Sequence, residues 1–198
     1  VNNVKRISSR VIISIGLFLL APIGFAESKT INVPLTTQEH SEWCWAGASK
    51  AVLNFYKKSP SQCSIVNWAF GINYACGNNN FNWNSQANQP NSMYGGNGSV
   101  QDILNAWGVP NTALTNYLSW AHVVSDIGAN RPFVMRYGWT NGGGHIMVGR
   151  GYETVNGVNY LYIMNPWPGE GMTYGTYNST VSDYDHQWTH TQRMNISG

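Results

Sequence analysis

Apolar residues recur at three- and four-residue spacing over Trp45, Ala48, Val52, Phe55 and Tyr56. That spacing predicts a helix starting near Cys44 with one face turned to a core. Lys57 and Lys58 suit its negative end, and Pro60 stops it. A short second helix is expected over 62–70. Ser99, with Asp102 at the acidic position of a capping box, opens a third, whose stripe is Val100, Ile103, Leu104 and Trp107. Ser119 caps a fourth, with Trp120, Val123, Val124 and Ile127 on one face and Gly128 as its stop. From Pro132 the period falls to two. Residues 133–137, 145–152 and 160–164 read as strands, and Val155-Asn156-Gly157 marks a turn between the last two. Residues 31–35 read as a short strand or extended lead-in, 71–98 as a long Asn- and Gly-rich loop, and 166–198 as further strands or loops. Helices first and an antiparallel sheet second is an α+β arrangement.

The N-terminal segment changes the domain picture. Lys5, Arg6 and Arg10 precede an apolar run from Val11 to Ile23, and Gly24-Phe25-Ala26 places small residues at both recognition positions of a signal peptidase. Residues 1–26 are therefore expected to be a signal peptide, and 27–198 a single domain that is secreted or periplasmic. The apolar run is shorter than the ~20 residues a membrane span needs, so no stable membrane association is expected after cleavage. Residues 1–26 hold three of the eleven basic residues and none of the nine acidic ones. The remainder carries eight basic against nine acidic residues, a net −1, which argues against nucleic acid as a partner.

Cys44, Cys63 and Cys76 are the only cysteines. In an oxidising compartment an odd count leaves one thiol over. Closure of the Cys63–Cys76 loop is the expected pairing, with Cys44 free; a disulfide made by Cys44 is the alternative. Cys44 lies at a loop-to-helix junction, where helix N–H groups and the helix dipole favour a thiolate. Gln38 precedes it by six positions, and His145 and Asn165-Pro166-Trp167 follow much later. Cys, His and Asn in that order suggest a nucleophile, its base and the group that orients the base. If strands 145–152 and 160–164 pair about residue 155, His145 and Asn165 come side by side. His40 reads as a surface-loop residue. His186 and His190 are four apart, but the residues between them read as strand. No Cys-x-x-Cys spacing occurs, so no metal site is expected.

These residues resemble a papain-like cysteine peptidase. The likeness rests on Gln38, on Cys44-Trp45-Ala46, on His145 opening a strand, and on Asn165-Pro166-Trp167. It covers about residues 33–170. Within that clan the Trp43-Cys44-Trp45-Ala46 run and the stretch 61–68 are similar to compact bacterial forms, the AvrRpt2-type effectors (peptidase family C70) and staphopain-like enzymes. The resemblance implies a papain-like fold, with a helical part packed on an antiparallel sheet. It implies Cys44 as nucleophile, His145 as base, Asn165 as its orienting partner, Gln38 in the oxyanion hole and Trp167 shielding the Asn–His bond. The function implied is a secreted bacterial thiol endopeptidase, with virulence as one use, acting on protein or peptide substrates as a monomer without a cofactor. The competing readings are a transglutaminase, deamidase or peptidoglycan amidase using the same triad, and a non-catalytic toxin or binding module. Only residues 27–43 separate the expected cleavage point from Cys44, which leaves no room for a folded inhibitory pro-segment.

Overall fold

A computed structural model describes residues 27–77, 80–82 and 84–198, so the expected signal segment lies outside the described residues. Helix α1 (Cys44–Phe55) forms where the apolar stripe predicts it and buries Trp45, Ala46, Ala48, Val52 and Leu53. Its N-cap residue, Trp43, makes no side-chain capping bond. No N-cap side chain therefore serves the first-turn N–H groups of α1, and that of Trp45 turns to the Cys44 sulfur. Three other helices open on serine. Ser61 accepts from Ser64 N–H at α2 (Gln62–Phe70), Ser99 from Asp102 N–H at α3 (Val100–Ala106), and Ser119 from His122 N–H at α4 (Trp120–Gly128). Each such cap contributes about 1 kcal/mol.

Among the described residues seven strands form one antiparallel sheet: β1 (Ser28–Thr30), β2 (Asn111–Leu114), β3 (Phe133–Trp139), β4 (Gly144–Val155), β5 (Val158–Asn165), β6 (Gly171–Thr176) and β7 (His186–Met194). The order is β2-β7-β3-β4-β5-β6. The short helix α5 (Tyr177–Val181) links β6 to β7. β3 pairs with residues 144–149 of β4, and β1 takes over at Gly151–Glu153. Helix α1 packs on β4 and β3, and the hydrophobic core of the molecule includes Trp43, Trp45, Phe133, Met135 and Leu161. Asp126 of α4 is buried and receives two hydrogen bonds from Arg193 of β7, at 2.7 and 2.8 Å, and one from Arg131 at 2.9 Å. Among the described residues no helix is long and apolar enough to cross a membrane.

The helical boundaries agree with the apolar pattern, and of the two readings of residues 31–35 the strand is not formed. Residues 31–35 are extended without being a strand, and β1 lies just before them. Ile31 N–H still bonds Arg150 O at 2.8 Å, but Pro34, with no N–H, cannot prolong the ladder. Cys63 and Cys76 are disulfide-bonded and Cys44 is free, as the expected pairing has it.

Candidate active site

Cys44 is the first residue of α1 and is held by the loop that follows the disulfide. Trp43 Nε1 donates to Ala87 O at 2.6 Å, and Trp45 Nε1 to Gln89 O at 3.0 Å. The two tryptophans flanking the cysteine therefore grip that loop. Asn88 sits between those two acceptors. Its Oδ1 accepts from Glu42 N–H and its Nδ2 donates to Ser41 Oγ. Asn88 is buried and fixes the turn that delivers Cys44, yet nothing in an Asn-rich stretch marks it beforehand. On the other side, Gln62 of α2 donates to Thr37 O and accepts from Glu39 N–H. His40 packs against Trp43 and Phe81, with ring centroids 4.3 and 4.7 Å away.

His145 and Asn165 meet across the β4–β5 hairpin, though not side by side. The turn is Asn156-Gly157, both with positive φ, as a two-residue hairpin turn requires. Val148 pairs with Met164, so Asn165 stands at the level of Met147, two residues along β4 from His145. Residues two apart share a face of a strand, and the diagonal is within reach of a long side chain. Between Gly149 and Gly151 the register slips by one residue, a β-bulge at Arg150. A Cβ on Gly149 would lie 2.1 Å from the ring of Phe133, so only glycine fits there.

The hydrogen bonds settle the proton positions. Asn165 Oδ1 accepts from Trp167 N–H at 3.0 Å and lies 2.7 Å from His145 Nε2. An oxygen that accepts from a backbone N–H identifies the amide orientation. His145 Nε2 is then the protonated nitrogen, and Nδ1 keeps its lone pair. Trp167 stands edge-on to the imidazole at 5.7 Å and is half exposed, while Trp139 lies nearly parallel to it at 6.4 Å. Trp139 belongs to this site and carries no motif of its own in the sequence.

Burial controls the electrostatics. The Cys44 sulfur receives the N–H groups of Ile146 and Trp45, but burial outweighs them and pushes the thiol up to about 11. Burial also lowers His145; Asn165 and, beyond it, the Glu170 carboxylate act the other way. Among the described residues no hydrogen bond joins Cys44 to His145. Both shifts oppose charge on the pair, against the thiolate that the helix start alone suggests. The helix dipole is worth up to ~2 kcal/mol in partly buried sites, less than desolvation of a buried charge.

Gln38 is brought to the site but is already engaged. Its backbone N–H bonds Pro166 O at 2.8 Å, next to Asn165. Its Nε2 donates to His40 O at 2.9 Å and Ser41 O at 2.8 Å, so both amide hydrogens are in use. Oε1 is buried without a hydrogen-bond partner. Gly47 of α1 lies against this junction: a Cβ there would be 3.1 Å from Pro166 Cβ and 3.5 Å from Gln38 Cα. Among the described residues no group of three or more His, Cys, Asp and Glu could hold a metal ion. His186 and His190 both lie in β7, as their strand reading has it.

Residues 30–196 match the model of the Peptidase_C39 like family. The fold is similar to the peptidase domain of Streptococcus ComA, a bifunctional ABC transporter involved in a quorum-sensing pathway. That match has a TM-score of 0.57 and 13% identity, and covers 83% of this chain and 99% of the other. A double-glycine-motif protease from an AMS/PCAT transporter, solved with a leader peptide, matches with a TM-score of 0.51 and 16% identity over 84% of this chain and 94% of its own. A structure from work on antibody cross-reactivity between the mite allergens Blo t 1 and Der p 1 matches with a TM-score of 0.51 and 12% identity, over 83% of this chain and 67% of its own. No curated protein matches the chain. With a free cysteine at a helix start, a tautomerically fixed histidine on the sheet beneath it, and a family model spanning nearly all the described residues, the chain belongs to the Peptidase_C39 like family of papain-like cysteine peptidases.

Proposed function

We propose that the chain is an exported thiol endopeptidase that cleaves peptide bonds through Cys44, His145 and Asn165. The observation that carries this is the doubly accepting Asn165 Oδ1, which holds His145 with Nδ1 unprotonated. In this reading Nδ1 takes the thiol proton as sulfur attacks the carbonyl carbon. The C–S bond forms and the carbonyl π electrons move to oxygen. The first-turn N–H of Cys44 faces that oxyanion, and Gln38 supplies the second donor by exchanging one of its two carbonyl partners for it. Collapse breaks the C–N bond, and the imidazolium returns its proton to the leaving amine. Water activated by the same imidazole then cleaves the thioester. Because burial disfavours charge on both groups, this reading has proton transfer accompany attack.

Export rests on the basic and apolar pattern of residues 1–26. The chain from Glu27 onward is taken into the sheet: Thr154 N–H bonds Glu27 O at 2.9 Å. A mature N-terminus at Glu27 fits that anchoring and would make the enzyme secreted or periplasmic. The likeness to AvrRpt2-type and staphopain-like forms stays a statement about size and motif, since the family model that matches is the C39-like one. Secretion would open protein substrates outside the producing cell, with virulence as one use.

The test is clearance of casein or gelatin by the wild-type protein and by Cys44→Ala, alongside amine incorporation and muropeptide release. Cys44-dependent proteolysis supports the reading. Amine incorporation without proteolysis points to a transglutaminase, and muropeptide release to an amidase. Iodoacetamide that labels another residue and spares Cys44 refutes the assignment of the nucleophile.

A further inference from the structure

A cavity of about 400 Å³ opens beside the histidine and is lined by Trp139, Gly144, His145, Asn165, Trp167 and Glu170. Cys44 is not part of its wall. That asymmetry has a chemical meaning if the peptidase reading above holds. The acyl half of the substrate is bonded to Cys44, while the amine half departs by taking a proton from His145. A pocket that touches the imidazole and not the sulfur receives the leaving half, and so the residue directly after the scissile bond.

The character of the pocket is specific. Two indoles form walls, at 5.7 and 6.4 Å from the imidazole. Glu170 lines the pocket and is exposed, and among the described residues it makes no ion pair. Its backbone N–H bonds Trp167 O at 3.1 Å, which sets the carboxylate-bearing residue against the Trp167 wall. Arg136 does not compete for it. Arg136 pairs with Ile146, so it lies on the face of β3 away from Tyr137, the partner of His145, and its guanidinium is spent on Thr189 Oγ1 and Gly143 O. An unpaired carboxylate beside two indole faces recognises a cation on an apolar stem. We propose that this enzyme selects lysine or arginine immediately after the scissile bond, with Glu170 as the specificity-determining residue and Trp139 and Trp167 as the walls.

An exposed ion pair with a cation–π contact makes a matched lysine substrate about 5- to 10-fold better in kcat/KM than a norleucine one. The experiment maps casein cleavage sites by mass spectrometry. It then compares peptides that differ only in the residue after the cut, carrying Lys, Arg, norleucine or Glu. Ratios are taken within each protein, so an effect of Glu170 on His145 cancels. The expected result is enrichment of Lys and Arg after the cut, a Lys/norleucine ratio that falls with added salt, collapse of that ratio in Glu170→Gln, and preference for Glu in Glu170→Lys. Cys44-dependent cleavage with no such preference, or with one unchanged in Glu170→Gln, overturns the inference and leaves the peptidase reading standing. Absence of Cys44-dependent cleavage overturns both. A binding arm does not need turnover. Lysyl-glycine amide should shift the indole NMR signals of Trp139 and Trp167 in Cys44→Ala at concentrations where norleucyl-glycine amide does not. Equal shifts overturn the inference.

Discussion

Asn165 makes the sharpest test, because one oxygen serves both His145 and Trp167. Asn165→Ala removes a 2.7 Å bond to a buried imidazole and a 3.0 Å bond from a backbone N–H. In the transition state the imidazole is charged, and a hydrogen bond to a charged group is worth about 1.5–3 kcal/mol. The loss in kcat should be a factor of roughly 10 to 150. The sign of the pH effect follows from the same bond. Asn165 raises His145 against the lowering by burial. Without it His145 protonates at lower pH, and the acid limb of kcat/KM moves down. Asn165→Asp puts a carboxylate in the same place and should move that limb up. The assay is kcat/KM against pH for both variants, with circular dichroism to confirm folding. Limbs that move in the same direction, or an unchanged kcat in Asn165→Ala, would refute the argument that Asn165 works through the imidazole.

Three further outcomes are expected. Replacing Cys63 and Cys76 by serine should cost about 3 kcal/mol in a urea titration, and should loosen the loop that Trp43 and Trp45 grip, so activity should fall at lower denaturant than global unfolding. Gly47→Ala gains about 1 kcal/mol in helix propensity but crowds Pro166, so kcat should fall several-fold while Tm changes by only a few degrees; an unaltered kcat would show that Pro166 moves without carrying Asn165. Gln38→Ala should lower kcat by about 10²- to 10³-fold yet leave iodoacetamide labelling of Cys44 near wild-type, since alkylation develops no oxyanion. Loss of labelling in a folded Gln38→Ala protein would make Gln38 a holder of the 38–41 turn instead. Because burial raises the thiol to about 11, labelling of the free enzyme should climb with pH across the neutral range, without the low-pH plateau of a preformed ion pair.

What could be read from the chain follows from how local each signal is. The helix stripe behind Cys44 and the serine caps act over one or two turns and lie in the expected places. Strand β2, short and partly polar, exists because β7 pairs with it from eighty residues away, and no local pattern announces it. Asn88 and Gln62 are equally silent, each working through a partner distant in sequence, and Trp139 reaches His145 only through the β3–β4 pairing. The free thiol was legible by counting cysteines. Its protonation was not, because burial is a property of the packed core.

The bulge at Arg150 has a consequence for counting. A hairpin closed by a two-residue turn pairs positions whose numbers add to an odd total, as Val155 and Val158 do. Two odd-numbered residues then always fall on opposite faces of the sheet. His145 and Asn165 are both odd. A regular ladder running back from Asn156-Gly157 would set Asn165 against Val148, on the far side from the imidazole. One looped-out residue makes the total even, as in Val148 with Met164, and turns Asn165 to the histidine. The bulge is thus a parity device, and the length of this hairpin is constrained by evenness more than by distance. Adding one residue to the β5 arm should carry Asn165 through the sheet and abolish activity. Deleting Arg150 should let the ladder close over the gap with Gly149 still opposite Ile163, and leave the pair facing. Chains of this architecture that join an odd-numbered base to an odd-numbered partner across such a turn must carry an odd number of looped-out residues between them.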